Sequence, residues 1–324
     1  MRVAITGVTG FVGQALAKRL LASDVPVRAL ARPSQRAESL AQTGIEIIPG
    51  DLSNADALER AFAGAEIVFH AAAQVGHGSR RQYFDANVRG TDAVLQAALR
   101  ARPRRIIYLS SIAVYGPLER DEIIDEDSPF DALPEERDYY AQSKIEADRL
   151  ALKFAKHSPV PLTIFRPGVV FGPGRPLPTA LLGARIGKYD IVFGRRNQPL
   201  PLNYIDNLID ALILAAAEPE NDHRQYIILD DEKLTLGQYH DAKARITHSR
   251  VSFFPAQPVV IAATVTHPVA RIIPADTGAF SRRQILRASQ DRHYSTRRVR
   301  TELNWQPRIP LEEAIARAVL DSSS

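Results

Sequence analysis

The chain has 324 residues, 45% hydrophobic and 24% charged, the make-up of an ordinary globular protein with apolar sequence enough for one large domain or two moderate ones. It contains no cysteine, which excludes a disulfide framework, a thiol nucleophile and any thiolate metal site, and no metal site of another kind is assigned. A net charge of +4 is too small to argue for a nucleic-acid partner, and no uninterrupted apolar run reaches the ~20 residues of a membrane span, so a soluble, cytoplasmic protein is expected.

Met1 leads directly into the β-branched run Val3–Thr6, the first predicted strand, with no signal-peptide pattern before it. An amphipathic helix follows, with Val12, Ala15, Leu16 and Leu20 on one face and Lys18 and Arg19 opposite. Further strands are predicted at Val27–Leu30, Ile45–Ile48, Ile67–Phe69, Arg105–Leu109 and Leu162–Phe165, separated by helical patterns. Strands alternating with helices argue for βαβ units and a parallel sheet, and nearly all-apolar strands argue for helices on both faces. From Pro167 the pattern becomes irregular and rich in Pro and Gly. A helix is predicted at Asp206–Ala217, a strand at Tyr226–Leu229 and a final helix at Leu311–Leu320. The apolar, Pro-interrupted stretch Phe253–Pro274 reads as core and loop or as a lid over the substrate. The arginines between Ser281 and Arg300 read as a solvated basic face or as a rim for an anionic ligand.

The strongest local signal is Thr6-Gly7-Val8-Thr9-Gly10-Phe11-Val12-Gly13, with a strand before it and an amphipathic helix after it. Gly7 suits the tight turn, Gly10 lets the backbone approach a pyrophosphate, and Gly13 permits close helix–strand packing. The helix N-terminus beyond offers N–H groups and a positive dipole end to the phosphates. Dinucleotide sites selective for NAD place an acid at the end of the second strand, about 20 residues past the loop. Here that strand runs into Arg32-Pro33-Ser34-Gln35-Arg36 with no acid. Arg32, with Ser34 and Arg36, suits the 2′-phosphate of NADP, so NADP is expected ahead of NAD.

A Tyr-x-x-x-Lys runs from Tyr140 to Lys144, at the start of a helix whose buried face is Ala147, Leu150, Ala151 and Phe154. The i, i+4 spacing puts both on one face, where the ammonium is expected to lower the phenol's ordinary pKa of about 10. Ser110-Ser111 follows the fifth strand. Every predicted strand of the first half ends on something that suits a ligand: Gly7, Arg32, Asp51, His70 to Ala73, Ser111 and Pro167. Strand ends are where an open α/β sheet binds its ligands.

Together these residues resemble the extended short-chain dehydrogenase/reductase family, the NAD(P)-dependent epimerase/dehydratase group, over nearly the whole chain. The resemblance also rests on Gly50-Asp51-Leu52, Asn87-Val88-Arg89-Gly90-Thr91, Arg166-Pro167-Gly168, Tyr204-Ile205-Asp206-Asn207 and Glu302-Leu303-Asn304-Trp305. It implies a Rossmann-type doubly wound parallel sheet over residues 1–166 with 203–230 returning to it. A smaller α/β substrate-binding domain would be built from the C-terminal segments 167–202 and 231–324. It implies that Gly7, Gly10, Phe11, Val12 and Gly13 hold the cofactor phosphates, Asp51 and Leu52 meet the adenine, and Ala71, Ala72, Ala73 and Asn87 line the cofactor path or hold the sheet there. Pro167 would border the nicotinamide. Ser111, Tyr140 and Lys144 would be catalytic: Tyr140 moves the proton, Ser111 bonds the same substrate oxygen, and Lys144 holds the ribose and tunes Tyr140. His70 is left to the core. The family likeness also implies a homodimer through the helices around Thr91–Arg100 and Tyr140–Phe154.

The implied activity is hydride transfer between nicotinamide and a hydroxyl or ketone carbon of a small molecule, with nucleotide-sugar epimerisation and non-catalytic cofactor sensing as alternatives. Sugar dehydration is disfavoured, because Ile112 and Ala113 stand where those enzymes carry an acidic pair. The stretch Pro199–Tyr204 lacks the arginine expected to meet a substrate pyrophosphate, although Arg195 and Arg196 are close enough in sequence to replace it. The tail looks more like the branch of 3β-hydroxysteroid dehydrogenase-like, dihydroflavonol reductase-like and hopanoid-locus proteins.

Overall fold

A computed structural model describes residues 2–116, 122–175, 177, 184–219, 222–254 and 291–320. Most of the Phe253–Pro274 stretch, and Arg282, Arg283 and Arg287 of the basic run, lie outside these residues. Seven strands form one sheet: β1 (Val3–Thr6), β2 (Val27–Ala31), β3 (Glu46–Pro49), β4 (Ile67–His70), β5 (Arg105–Leu109), β7 (Leu162–Pro167) and β12 (Arg224–Ile228). Their order is β12-β7-β5-β4-β1-β2-β3, and every neighbouring pair is parallel. From β1 the chain winds outward to β3, returns beside β1 as β4, and winds the other way. This is a doubly wound α/β fold whose direction reverses between β1 and β4, the crevice where such sheets take ligands.

Helices cover both faces, which is why β1 and β4 are buried at every position. On one side α1 (Phe11–Leu21) packs against α7 (Ile205–Ala217), joining Leu16, Ala17 and Leu20 to Leu208, Ile209 and Leu212. On the other, α3 (Ala55–Phe62), α5 (Gly90–Ala101) and α6 (Tyr139–His157) bury Leu58, Phe62, Val94, Leu95, Ala98, Ala147 and Ala151. The remaining helices of the first half are α2 (Gln35–Ala41) and the short α4 (Arg80–Tyr83), which runs through a π-helical turn at Phe84–Arg89 into α5.

Smaller pairings gather beyond the strand ends. β6 (Ile123–Ile124) pairs with β14 (His293–Tyr294), and β8 (Val169–Phe171) pairs with β11 (Leu202–Tyr204). β10 (Tyr189–Phe193) lies between β9 (Ala184–Ile186) and β13 (Arg250–Phe254). Helix α8 (Leu236–Thr247) packs on β13 and on α10 (Leu311–Leu320), while α9 (Arg297–Glu302) packs on β12. The Tyr204–Asn207 motif pins the tail to α7. Asn207 accepts N–H bonds from Arg308 (3.0 Å) and Ile309 (2.9 Å), and its backbone oxygen accepts the Trp305 indole N–H at 3.0 Å. Among the described residues no helix is long and apolar enough to cross a membrane.

His240 of α8 is fully buried between Tyr239 and Phe253, and neither ring nitrogen has a hydrogen-bond partner among the described residues. Burial, with Lys243 and Arg196 adding to it and Asp190 and Asp241 opposing, pulls its pKa down to about 4. A group depressed in the folded state costs nothing above its unfolded value near 6.5 and costs folding energy as pH falls from there toward 4. His240→Phe removes both the orphan nitrogens and that protonation. Chemical denaturation should therefore show it more stable than wild type at pH 7.5 by about 1 kcal/mol, with the gap widening at pH 5. Equal or lower stability at both values would refute this account.

Candidate active site

The glycine loop leaves β1 at the sheet's reversal point. Gly7 has φ +81°, and Gly10 N–H donates to Gly7 O at 2.9 Å to close the turn. A methyl group on Gly7 would fall 2.5 Å from Ala72 N, and one on Gly13 would fall 2.2 Å from Gly7 O. Neither position has room for a Cβ, because the loop is pressed between the β4 exit and the first turn of α1. Gly10 is the N-cap of α1 and offers no side chain to the first N–H groups, so the turn carrying Phe11, Val12 and Gly13 presents unsatisfied donors. A cradle without side chains, opening on backbone donors, fits the diphosphate of a dinucleotide.

Ala71 and Ala72 of the β4 exit press on that cradle and Ala73 follows them, Pro167 ends β7, and Leu52 sits over Gly90, where a Cβ would lie 2.5 Å from its Cδ1. Asp51 Oδ1 accepts from both the Ser53 N–H (2.9 Å) and hydroxyl (2.6 Å), and these bonds hold its carboxyl below the usual range. Asn87 is buried and spends its amide on structure. It accepts from Gln74 N–H at 2.6 Å and donates to Ser143 Oγ at 2.9 Å, tying the β4 exit to α6. Arg32 is exposed at the end of β2. Arg36 donates to Thr9 O of the glycine loop at 3.1 Å, and Ser34 caps α2 by accepting from Ala37 N–H.

Ser111, Tyr140 and Lys144 stand at the same edge of the sheet. Ser111 caps a single 3₁₀ turn at Ile112–Val114, accepting from Ala113 N–H at 3.1 Å, and its hydroxyl acts to lower the Tyr140 pKa. Tyr140 lies in the first turn of α6, capped by Asp138, and its ring meets that of Tyr83 edge-on at 6.4 Å. Lys144 is buried, donates to Leu109 O at 2.9 Å and lies 5.2 Å above the Tyr108 ring. Burial draws its pKa down to about 8, against the pull of Asp148. His70 is a core residue, held by Thr6 at 2.8 Å and Thr91 at 2.9 Å and stacked on Tyr108, and burial lowers its pKa to about 3.

One expectation is corrected. The Tyr140 pKa is raised, not lowered: burial is the largest cause, Asp138 and Tyr83 add to it, and Ser111 and Arg175 oppose it. A second expectation changes as well. Arg195 pairs with Asp291 at 2.6 Å, and Arg196 pairs with Asp241 while stacking on Phe253, so neither is an unpaired cation waiting for a substrate diphosphate.

Sequence reasoning overlooked the support beneath these groups. Asp148, one turn beyond Lys144, bonds Arg166 Nε at 2.7 Å with both side chains fully buried. Arg166 also donates to Tyr115 Oη at 2.7 Å and to Gln225 Oε1 at 2.9 Å. The available signal was the continuation of the i, i+4 series from Tyr140 and Lys144 to Asp148. Arg175, which stands over Phe11 with 5.6 Å to the ring centroid, was also overlooked.

Residues 3–228 match the sequence model of the NAD dependent epimerase/dehydratase family. The 2-alkyl-3-oxoalkanoate reductase of Shewanella oneidensis is 32% identical over 248 residues, which span 72% of this chain but only 63% of that protein. The human sterol-4-alpha-carboxylate 3-dehydrogenase, decarboxylating, is 25% identical over 98% of this chain and 87% of its own. A solved UDP-glucuronic acid 4-epimerase from Bacillus cereus, in complex with NAD, superposes with a TM-score of 0.75 at 20% identity, covering 100% of this chain and 99% of that one, and so shares the fold. With the glycine cradle at the sheet's reversal point and the family match running from β1 to the end of β12, the chain belongs to the NAD dependent epimerase/dehydratase family.

Proposed function

We propose that the protein is an NADP(H)-dependent oxidoreductase that interconverts a ketone and a secondary alcohol, and that its substrate is a 3-oxo or 3-hydroxy acid. The observation that carries the reaction type is the meeting of Ser111, Tyr140 and Lys144 at the sheet edge beside the glycine cradle. The substrate class is supported by two relatives whose names describe a carboxylate close to the reacting oxygen, one a 3-oxoalkanoate reductase and one a sterol-4-carboxylate 3-dehydrogenase. Nucleotide-sugar epimerisation is the weaker reading, because Arg195 and Arg196 are already paired.

Nicotinamide, when bound, supplies or accepts the hydride. The chain's own residues position the substrate and move the proton. Ser111 and Tyr140 converge on one oxygen position, Ser111 as a hydrogen-bond donor and Tyr140 as the proton source. A phenol held above its ordinary pKa is protonated at neutral pH, so Tyr140 is set to give its proton to the oxygen of a carbonyl being reduced. Lys144 has three N–H donors, one of them spent on Leu109 O, which leaves two for ribose hydroxyls beside Tyr140. The Arg32 and Arg36 guanidinia, at a strand end without an acid, support 2′-phosphate binding. We assign residues 167–202 and 231–324 to substrate binding and the rest to the cofactor, and propose a cytoplasmic homodimer formed through α5 and α6.

Fluorescence titration is expected to show NADPH binding at least tenfold tighter than NADH, a gap of about 1.4 kcal/mol, with the preference lost in Arg32→Ala. NADH binding as well as NADPH would remove the NADP assignment. Tyr140→Phe should bind NADPH like wild type yet lose roughly 10²- to 10⁴-fold in the oxidation of a 2-alkyl-3-hydroxy acid by NADP⁺, followed by absorbance. Retained turnover in that variant would rule out Tyr140 as the proton-transfer group.

A further inference from the structure

We propose that Arg175 receives the carboxylate of the substrate and so determines specificity for 3-oxo and 3-hydroxy acids over neutral ketones and alcohols. The inference rests on the substrate class proposed above and adds the residue that would read it. Arg175 closes a tight turn just beyond β8: Arg175 N–H donates to Gly172 O at 3.0 Å, and Gly172 N–H donates to Arg175 O at 3.2 Å. The turn is seated on the glycine loop, because a Cβ on Gly172 would lie 2.6 Å from Ile205 Cγ2 and 3.3 Å from the Phe11 ring. Its backbone is therefore fixed against the cofactor cradle.

The side chain is exposed, and its guanidinium lies 5.6 Å from the centroid of Phe11, the first residue of α1 beyond the glycine loop. Its positive charge also opposes the rise in the Tyr140 pKa. No ion pair or hydrogen bond occupies that guanidinium among the described residues. Several other arginines are paired: Arg137 with Asp131, Arg195 with Asp291, Arg196 with Asp241 and Arg298 with Asp127. A planar fork of donors over Phe11 at the glycine loop, without a protein carboxylate, matches a ligand carboxylate in charge and in bidentate geometry.

The chemistry of the substrate fits the placement. In a 3-oxo acid a single carbon separates the carboxylate carbon from the carbonyl carbon, so both groups reach the same small region of the cleft. With Tyr140 and Ser111 on the carbonyl oxygen, the carboxylate must find its counter-charge nearby, and Arg175 is the cation assigned to it. Binding also serves the proton transfer. A carboxylate on Arg175 cancels the charge that opposes burial at Tyr140, which keeps the phenol protonated until the substrate oxygen takes the proton.

The same guanidinium could instead meet the cofactor's diphosphate, and the experiment separates the two. Wild type, Arg175→Gln and Arg175→Lys are compared in NADPH affinity and in NADP⁺-dependent oxidation of a 2-alkyl-3-hydroxy acid and of its methyl ester. Acid binding to the NADP⁺-loaded protein is measured in parallel by calorimetry, which needs no turnover. Arg175→Gln should keep its NADPH affinity, raise KM for the acid by about 10- to 100-fold with little change for the ester, and so lose the preference for acid. Arg175→Lys should recover part of it. An unchanged acid-over-ester preference, or a fall in NADPH affinity in place of acid affinity, overturns the proposal. If wild type binds the acid in an Arg175-dependent way but oxidises nothing, the oxidoreductase reading fails and the carboxylate site stands. If wild type neither binds nor discriminates the acid, the site itself is refuted.

Discussion

The fully buried ion pair between Asp148 and Arg166 fixes the frame on which the candidate site depends. Asp148 belongs to α6, the helix that carries Tyr140 and Lys144, and Arg166 belongs to β7, next to the edge strand β12. Through its other nitrogens Arg166 reaches Tyr115, on the loop that begins with Ser111, and Gln225 on β12. One guanidinium therefore sets the distance between the helix, the serine loop and two strands. A pair of this kind is weak evidence for stability, since an apolar replacement can be as stable. Removing one partner nevertheless costs about 3–5 kcal/mol, because it strands a buried charge. Its value lies in position. Asp148 Oδ1, left without a hydrogen bond, also projects negative charge toward Lys144, which keeps that buried amine mostly protonated at neutral pH.

The cofactor side of the cleft is governed by a different constraint, the absence of space. Gly7 cannot carry a Cβ because Ala71 and Ala72 press against it, and Gly13 cannot because Gly7 O occupies the place. The consequence reaches beyond phosphate binding. The close fit brings the exits of β1 and β4 together, and Asn87 then ties the β4 exit to Ser143 of α6. The glycine loop and the helix that carries Tyr140 and Lys144 are thus linked through one buried amide, so the candidate phosphate cradle and Tyr140 share one base.

Much of this was legible in the sequence because it is local. β1, β5 and α10 begin and end where periodicity places them, and the other sheet strands differ by one or two residues at their ends. Strands that are apolar on both faces stop where the apolar run stops. The two- and three-residue strands β6, β8, β11 and β14 have no period to read, and they pair with segments distant in the chain. Helix α8 is polar enough to hide, although Thr235 and Gln238 spell a capping box at its start. At the site, Ser111, Tyr140 and Lys144 were found by spacing and by their place after predicted strands. Their electrostatics were not. The sign of the Tyr140 shift depends on how deeply the hydroxyl sits, and that is not written in an i, i+4 interval. The fate of Arg195 and Arg196 was equally hidden, because Asp291 and Asp241 come from far along the chain.

The distribution of charge connects these observations. Many arginines among the described residues are matched to a carboxylate, as in Arg19 with Asp210, Arg224 with Glu302 and Arg308 with Asp210. Arg32 and Arg36 at the β2 end and Arg175 above Phe11 are among those that form no ion pair with the described residues. Water screens such groups well enough to make them cheap to leave unpaired on a surface. Closing a ligand over them removes that screening, and the counter-charge must then come from the ligand. A cofactor phosphate and a substrate carboxylate would each supply it. At Tyr140 burial already favours the neutral phenol. As ligand anions neutralise the flanking cations, the remaining pull toward a phenolate weakens. The proton then stays on Tyr140 until negative charge develops on the substrate oxygen, the moment at which its transfer lowers the barrier.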